Sequence, residues 1–397
     1  MNMRGATAIV GMGDTGFIGN SAHTPISLAS RVVATALEDS GLRRSDIDGL
    51  VVHIGSPRGS DYDRTASALG LSVRFAAQPW SHGRFASTAI LHAAMALSAG
   101  LADCILVVAA YNNSAFGRHG VKERPGFQES LRAGGGPHAE TPHTGLTAPV
   151  AGTAMAAQRY YHKYNVDPEK LATIALSFRD YARMNAGAAM RKPLTREEYL
   201  SSRYIVEPLR LFDCSVIVDG AVAVIMTRAD RARDTKGRPV YLLGAQGLHA
   251  GPNEFIFGQP GLGIDQADVF DYRPQGADQL VYKMAGVTPA DIDLMQVYDA
   301  FSPLVLWTLE RFGYCPVGQA ADWIQNGRIG PGGDLPLNTS GGFLSEGHFN
   351  GWGQMAEIVR QLRGVAGTRQ VPDAQLAHWA SAIGDSLIFG SDSKGGR

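Results

Sequence analysis

Apolar positions recur along the chain with two distinct periods. A short apolar run at residues 6–10 gives way to residues 25–40, where Leu28, Val32, Val33, Ala36 and Leu37 recur at the spacing of a helix face. The punctuation Ser45-Asp-Ile-Asp-Gly and the apolar residues 50–53 follow, so the opening reads strand, helix, strand: a βαβ unit. Residues 86–99 predict a second helix, with Ile90, Ala94 and Leu97 on one face. It leads into residues 104–110, an unbroken apolar run of the kind a sheet covered on both faces requires. Helical spacing returns over 154–164 and 169–185, and residues 216–226 read as another buried strand. Between Asn112 and Pro149 the periodicity lapses, and Gly, His, Pro and Arg dominate around Gly134-Gly-Gly136. An aperiodic stretch of that length in a compact chain reads as a lid or binding loop.

Residues 40–53 and 285–298 align at a constant offset of 245 residues and share a Gly-apolar-x-x-x-Asp-Ile-Asp core, from Gly41 to Asp48 and from Gly286 to Asp293. Chance recurrence of helix–turn–strand punctuation is one explanation. The spacing favours another, two similar α/β halves over residues 1–235 and 236–397, with about 112–211 inserted in the first as a loop domain. Composition agrees: 397 residues that are 45% hydrophobic and 18% charged suit two cores rather than one. With 36 Lys+Arg against 37 Asp+Glu, the chain lacks the cationic excess on which phosphate-driven nucleic-acid binding depends. Cys104, Cys214 and Cys315 have no paired spacing, which argues against a disulfide framework and a structural zinc site. The opening apolar run is too short for a signal segment, and no stretch nears the ~20 apolar residues of a membrane span. A soluble, cytoplasmic protein is expected.

Gly11-Met-Gly-Asp-Thr-Gly16 matches GxGxxG in form, but residues 17–25 intervene before helical spacing starts. A dinucleotide fingerprint opens its helix within the glycines to aim it at the pyrophosphate, so a surface loop is the expectation here. The densest feature is residues 338–353, NTSGGFLSEGHFNGWG, where Gly341, Gly342, Gly347 and Gly351 surround His348. An amphipathic stretch with Met355, Ile358, Val359 and Leu362 follows. Glycines let backbone turn sharply and approach a ligand closely, and a histidine near a helix N-terminus meets developing negative charge. A lone histidine in a turn is more often structural; the company of this one argues for a site.

That segment resembles the Asn-x-x-Gly-Gly…Gly-His-x-x-Gly run of the thiolase superfamily, and the likeness extends along nearly the whole chain to Ala382-Ile-Gly384. It is closest to the sterol-carrier, lipid-transfer branch. The resemblance implies an α/β fold of two similar βαβαβαββ-type halves with mixed sheets around a central layer of helices, plus the inserted loop domain. It also implies a site in which Gly83 and His348 face one another. Gly83 stands where thiolases carry their nucleophilic cysteine, and Ala382 where they carry the second one. Without either thiol no acyl-enzyme can form by the usual route. Tyr298-Asp-Ala-Phe301 resembles the Tyr-Asp-x-Phe motif of the steroid side-chain aldolases, thiolase-like lyases that have glycine in place of the nucleophile. Those aldolases place a second catalytic tyrosine where this chain has His348, so an aldolase-like Tyr298 is combined with a thiolase-like His348.

The expected activity is therefore retro-aldol cleavage of a β-hydroxyacyl-CoA to a ketone or aldehyde and a shorter acyl-CoA. Tyr298 would handle the hydroxyl proton, with His348 polarising the thioester oxygen or sharing the proton. Gly341, Gly342, Gly347, Gly384, Gly83 and His82 are the expected substrate-binding positions. His53, the repeat equivalent of Tyr298, lacks a supporting motif and reads as structural. Arg118, His119, Lys122 and Arg124 could meet CoA phosphates, although a loop charge cluster is usually only solvated. Two alternatives stay open: an acyl-CoA acetyltransferase or thiolase using Ser81 or Ser87 as nucleophile, and a non-catalytic acyl-CoA or lipid-binding subunit. The resemblance further implies a homodimer and a small OB-fold, zinc-ribbon partner forming a heterotetramer. Any zinc would be on that partner, with no metal or tightly bound cofactor on this chain and acyl-CoA as substrate.

Overall fold

The computed structural model describes residues 3–17, 21–54, 61–79, 85–112, 149–249 and 278–395. Among the described residues eleven strands run in chain order: β1 (Thr7–Asp14), β2 (Gly49–Ile54), β3 (Phe75–Ala77), β4 (Cys104–Asn112), β5 (Tyr204–Val206), β6 (Leu209–Arg210), β7 (Asp219–Arg228), β8 (Val240–Gln246), β9 (Leu294–Val297), β10 (Leu376–Ala380) and β11 (Ser386–Gly390). Nine of them form one mixed sheet in the order β3-β2-β4-β7-β1-β8-β11-β10-β9, while β5 and β6 pair separately. Apart from β3, which has no counterpart among the described strands, the order reads the same from both sides of the β1–β8 junction. In the first half β2 pairs β4 in parallel, and β4, β7 and β1 continue antiparallel; β9, β10, β11 and β8 repeat that pattern. The halves join where β1 pairs β8 antiparallel, from Thr7↔Leu242 to Ile9↔Val240.

The recurrence at an offset of 245 residues is structural as well as sequential. Gly41 and Gly286 each end a helix in the left-handed region, at φ 73 and 67. The one-turn helices Arg44–Asp46 and Pro289–Asp291 follow, and then β2 and β9 begin. Each aspartate of the repeated Asp-Ile-Asp has a distinct task. Asp46 and Asp291 accept from the backbone N–H of Arg43 and Thr288, both at 2.8 Å, closing a capping box. Asp48 accepts from the N–H groups of Asp103 and Cys104, and Asp293 from those of Gln375 and Leu376, tying the start of each parallel pair together. The isoleucine between them is buried in both copies.

The helices Phe85–Ser98 and Trp352–Arg363 form the central layer. The first packs on β2, β4, β7 and β1, the second on strands of both halves. They meet end to end: Ala86 donates its N–H to the Asn350 carbonyl at 3.3 Å, and a Cβ on Gly351 would lie 3.0 Å from the Ala86 methyl. Between β4 and β7 lie the helices Pro149–Tyr164, Ala172–Met184 and Arg196–Ser201 and the β5–β6 hairpin. This segment has a small core of its own around Ala172, Ala175 and Tyr199. It docks on the second half where Tyr160 donates to Glu310 at 2.5 Å and Thr173 to Gln325 at 2.8 Å.

Two expectations are corrected. Gly11 and Gly13 lie inside β1 rather than in a surface loop, because the helix Pro25–Ser40 crosses the strand too closely for side chains. A Cβ on Gly11 would sit 2.4 Å from the Ala36 carbonyl oxygen, and one on Gly13 would sit 2.3 Å from that of Val32. The strand expected over residues 216–226 begins only at Asp219, since residues 216–218 run beside the His348 turn instead. Among the described residues no helix is long and apolar enough to cross a membrane, and no group of three or more His, Cys, Asp or Glu could hold a metal ion.

Candidate active site

Tyr298 follows directly on β9, and its N–H donates to the Ala380 carbonyl at 3.0 Å, so it continues the parallel register at the carboxyl end of the strands. Ligand sites in open α/β sheets form at such ends. Asn338, at φ 46, brackets Val297: it accepts from the Val297 N–H at 2.7 Å and donates to its carbonyl at 3.0 Å. Asp299 is fully buried and accepts from the N–H groups of Phe343 and Leu344 at 3.0 and 3.3 Å and from the Gln354 amide at 2.9 Å. Burial pushes its carboxyl up to about 7 despite those donors. Glycine is required at Gly342, where φ is 57 and a Cβ would fall 2.3 Å from the Asp299 carboxylate.

Held by Asp299, the one-turn helix Gly342–Ser345 presents Phe343 edge-on to the Tyr298 ring, with centroids 5.0 Å apart, and stacked on His348 at 4.5 Å. Gly347, at φ 148, carries the chain past Val218, and the His348 N–H then donates to the Val216 carbonyl at 2.7 Å. The imidazole is clasped on both nitrogens. Nδ1 lies 2.8 Å from the Ser215 hydroxyl; Nε2 lies 3.4 Å from the Tyr298 hydroxyl and 3.3 Å from Asn350 Oδ1. An amide oxygen only accepts, so this network assigns the proton to Nε2 and leaves Nδ1 to accept from Ser215. Behind the turn, buried Glu346 accepts from Ser340 at 2.5 Å and Asn185 at 3.1 Å, and burial pushes its carboxyl up to about 8.

Tyr298 and His348 are thus brought together across 50 residues of sequence. Of the glycines expected to line the substrate, Gly341, Gly342, Gly347 and Gly384 are buried, and the space each side chain would fill is already taken by protein. A Cβ would lie 2.7 Å from Ala182 at Gly341, 2.6 Å from Val218 at Gly347 and 2.8 Å from the Arg311 guanidinium at Gly384. Close packing of the chain on itself explains why glycine is needed there. Gly83, His82, Ser81, Arg118, His119, Lys122 and Arg124 lie outside the described residues. Ser87 is buried and donates to Asp385 at 2.5 Å. His53 is buried against Tyr111, and burial holds its pKa down at about 3, in keeping with a structural role.

No cysteine is poised as a nucleophile. Burial pushes the Cys104 and Cys214 thiols up to about 12, and that of Cys315 further still. Cys214 adjoins Ser215, but its extended backbone, φ −113 and ψ 137, turns successive side chains to opposite sides. Sequence reasoning missed Ser215, Asn350 and Asp299. Asn350 and Asp299 stand within two residues of a recognised group, whereas Ser215, 133 residues from His348, gave no local signal.

Residues 266–387 match the family model described as Thiolase C-terminal domain-like. The chain is 36% identical over 374 residues to the 17-hydroxy-3-oxo-4-pregnene-20-carboxyl-CoA lyase of Mycobacterium tuberculosis, covering 92% of this chain and 93% of that one. It is 34% identical over 400 residues to the steroid side-chain-cleaving aldolase of Thermomonospora curvata, covering 98% of each. Among solved structures it matches the Ltp2-ChsH2(DUF35) aldolase with a TM-score of 0.84 and 31% identity over 99% of both chains. With a nine-stranded mixed sheet of two like halves, a central helix pair and no available thiol, the chain belongs to the thiolase superfamily, in its branch of thiolase-like aldolases.

Proposed function

We propose that the chain cleaves the Cα–Cβ bond of a β-hydroxyacyl-CoA through Tyr298 and His348, without a covalent intermediate. The observation that carries this reading is the Tyr298–His348 contact at 3.4 Å with Ser215 on the far nitrogen. Tyr298 takes the β-hydroxyl proton, the hydroxyl carbon becomes a carbonyl, and the electron pair of the breaking bond moves onto Cα as a thioester enolate. His348, protonated on Nε2, donates to the enolate oxygen, and the proton on Tyr298 then returns to Cα. A ketone or aldehyde and a shorter acyl-CoA leave, with no net proton gained or lost.

The acyl group we propose is a steroid side chain, since one relative is named as a lyase of a pregnene carboxyl-CoA and the other as a steroid side-chain-cleaving aldolase. The solved aldolase pairs two proteins, which supports a small partner subunit for this chain too. That the partner is an OB-fold protein bearing zinc, that the assembly is a heterotetramer built on a homodimer, and that this chain needs no bound cofactor belong to the same proposal. The test is mass spectrometry of products from the protein, co-expressed with such a partner, on a panel of β-hydroxyacyl- and β-ketoacyl-CoAs with and without free CoA. Cleavage of a β-hydroxyacyl-CoA without CoA consumption is expected; CoA-dependent cleavage of a β-ketoacyl-CoA would overturn it. Tyr298→Phe, which removes one buried oxygen and keeps the ring on Phe343, should lower kcat by about 10²–10⁴-fold and leave acyl-CoA affinity intact.

A further inference from the structure

The turn between β10 and β11 holds a buried carboxylate that the proposed chemistry does not use. Asp385, only 2% exposed, accepts from the Ser87 hydroxyl at 2.5 Å through one oxygen and from the Ser381 hydroxyl through the other. Ser87 lies in the first turn of the central helix Phe85–Ser98, in the first half, and Ser381 opens the turn in the second. The carbonyls of this turn are held from within the second half. Arg311 donates to Ala382 at 3.1 Å, the His249 N–H to Ile383 at 3.2 Å and Gln246 to Gly384 at 2.7 Å. Among the described residues, the Ser87–Asp385 bond ties it to the first half.

Both ends of that link adjoin the site. One residue before Ser381, the Ala380 carbonyl accepts from the Tyr298 N–H; one residue before Ser87, the Ala86 N–H donates to Asn350, whose amide faces His348. A continuous bonded path therefore runs from Tyr298 through Ala380, Ser381, Asp385, Ser87, Ala86 and Asn350 to His348. Desolvating a carboxylate is unfavourable, and replacing buried polar clusters by apolar packing is often neutral for stability, so geometry is the better account of this one. We propose that Asp385 is a positioning residue: by bonding Ser87 and Ser381 together it sets the separation of Tyr298 and His348 across the two halves. This rests on the aldolase reading for its catalytic consequence but not for the clamp itself.

The test uses Asp385→Asn, Ser87→Ala and the double variant of the whole protein with any partner it requires. Amide hydrogen exchange should quicken in each at both 86–90 and 381–386. For a β-hydroxyacyl-CoA that the unsubstituted enzyme cleaves, kcat should fall about tenfold or more in Asp385→Asn, and less in Ser87→Ala, with acetyl-CoA affinity within about twofold. The double variant should be no slower than Asp385→Asn alone, because Ser87→Ala breaks a bond that Asp385→Asn already disrupts. Unchanged exchange at either segment, kcat within about twofold of the parent, or independent multiplying losses would each overturn the proposal. If Asp385→Asn does not fold, Ser87→Ala carries both readouts. If the unsubstituted enzyme cleaves no β-hydroxyacyl-CoA, the aldolase reading fails while exchange still decides the clamp.

Discussion

Gly347→Ala tests how tightly the fold sets the position of His348. Its Cβ would lie 2.6 and 2.7 Å from the two methyl carbons of Val218, against the ~3.5–4.0 Å of an ordinary carbon contact, a shortfall of about 1 Å. Val218 is itself fully buried and borders β7, so the His348 turn is the part that must move. A displacement near 1 Å at a reacting group lowers turnover by about 10²-fold, and that is the expected fall in kcat. Backbone strain at φ 148 adds about 1–3 kcal/mol of destabilisation, visible as a lowered Tm. Val218→Ala in the same chain removes both methyls and leaves only Cβ, at 3.2 Å, so the double variant should recover at least tenfold in kcat while keeping the strain. The assay is steady-state cleavage of a β-hydroxyacyl-CoA beside thermal unfolding of the parent and both variants. A single variant within about threefold of the parent, or a double variant no faster than the single, would refute this reasoning.

Ser215→Ala should lower kcat by about two- to thirteenfold, the equivalent of one net hydrogen bond of 0.5–1.5 kcal/mol. Nitrogen NMR of the imidazole should show the Nδ1–H form appearing, and an unchanged tautomer would count against the assignment. Stability should depend on pH in a defined direction, because burial raises the carboxyls of Asp299 and Glu310 to about 7 and of Glu346 to about 8. Unfolded carboxyls titrate near pH 4, so the native state binds more protons, and this contribution is present at low pH and lost as pH rises through about 4 to 8. Glu346→Gln removes one share of it. Its Tm relative to the parent should therefore improve between about pH 5 and 8.5, and a constant difference would show that Glu346 does not titrate there.

What the sequence by itself determined was whatever neighbours in the chain decide. The spacing of Leu28, Val32, Val33 and Ala36 marked a helix, the apolar run from Cys104 marked a doubly covered strand, and the repeated Asp-Ile-Asp marked two like halves. In each copy one of those aspartates makes its bond within three residues. Tyr298 and His348, which the fold brings within 3.4 Å, drew attention in the sequence because glycines and aromatic residues cluster beside them in short motifs. Tertiary structure alone decided what crosses the chain. Gly11 and Gly13 of Gly11-Met-Gly-Asp-Thr-Gly16 serve a helix crossing a strand, although the motif imitates a phosphate loop. Ser215 fixes His348 from 133 residues away, and Asp385 reaches Ser87 across 298. Such pairs leave no periodicity because each partner answers to a surface created only when the halves pack. Periodic burial is a property of one element, while a hydrogen bond between elements depends on where the sheet has put them both.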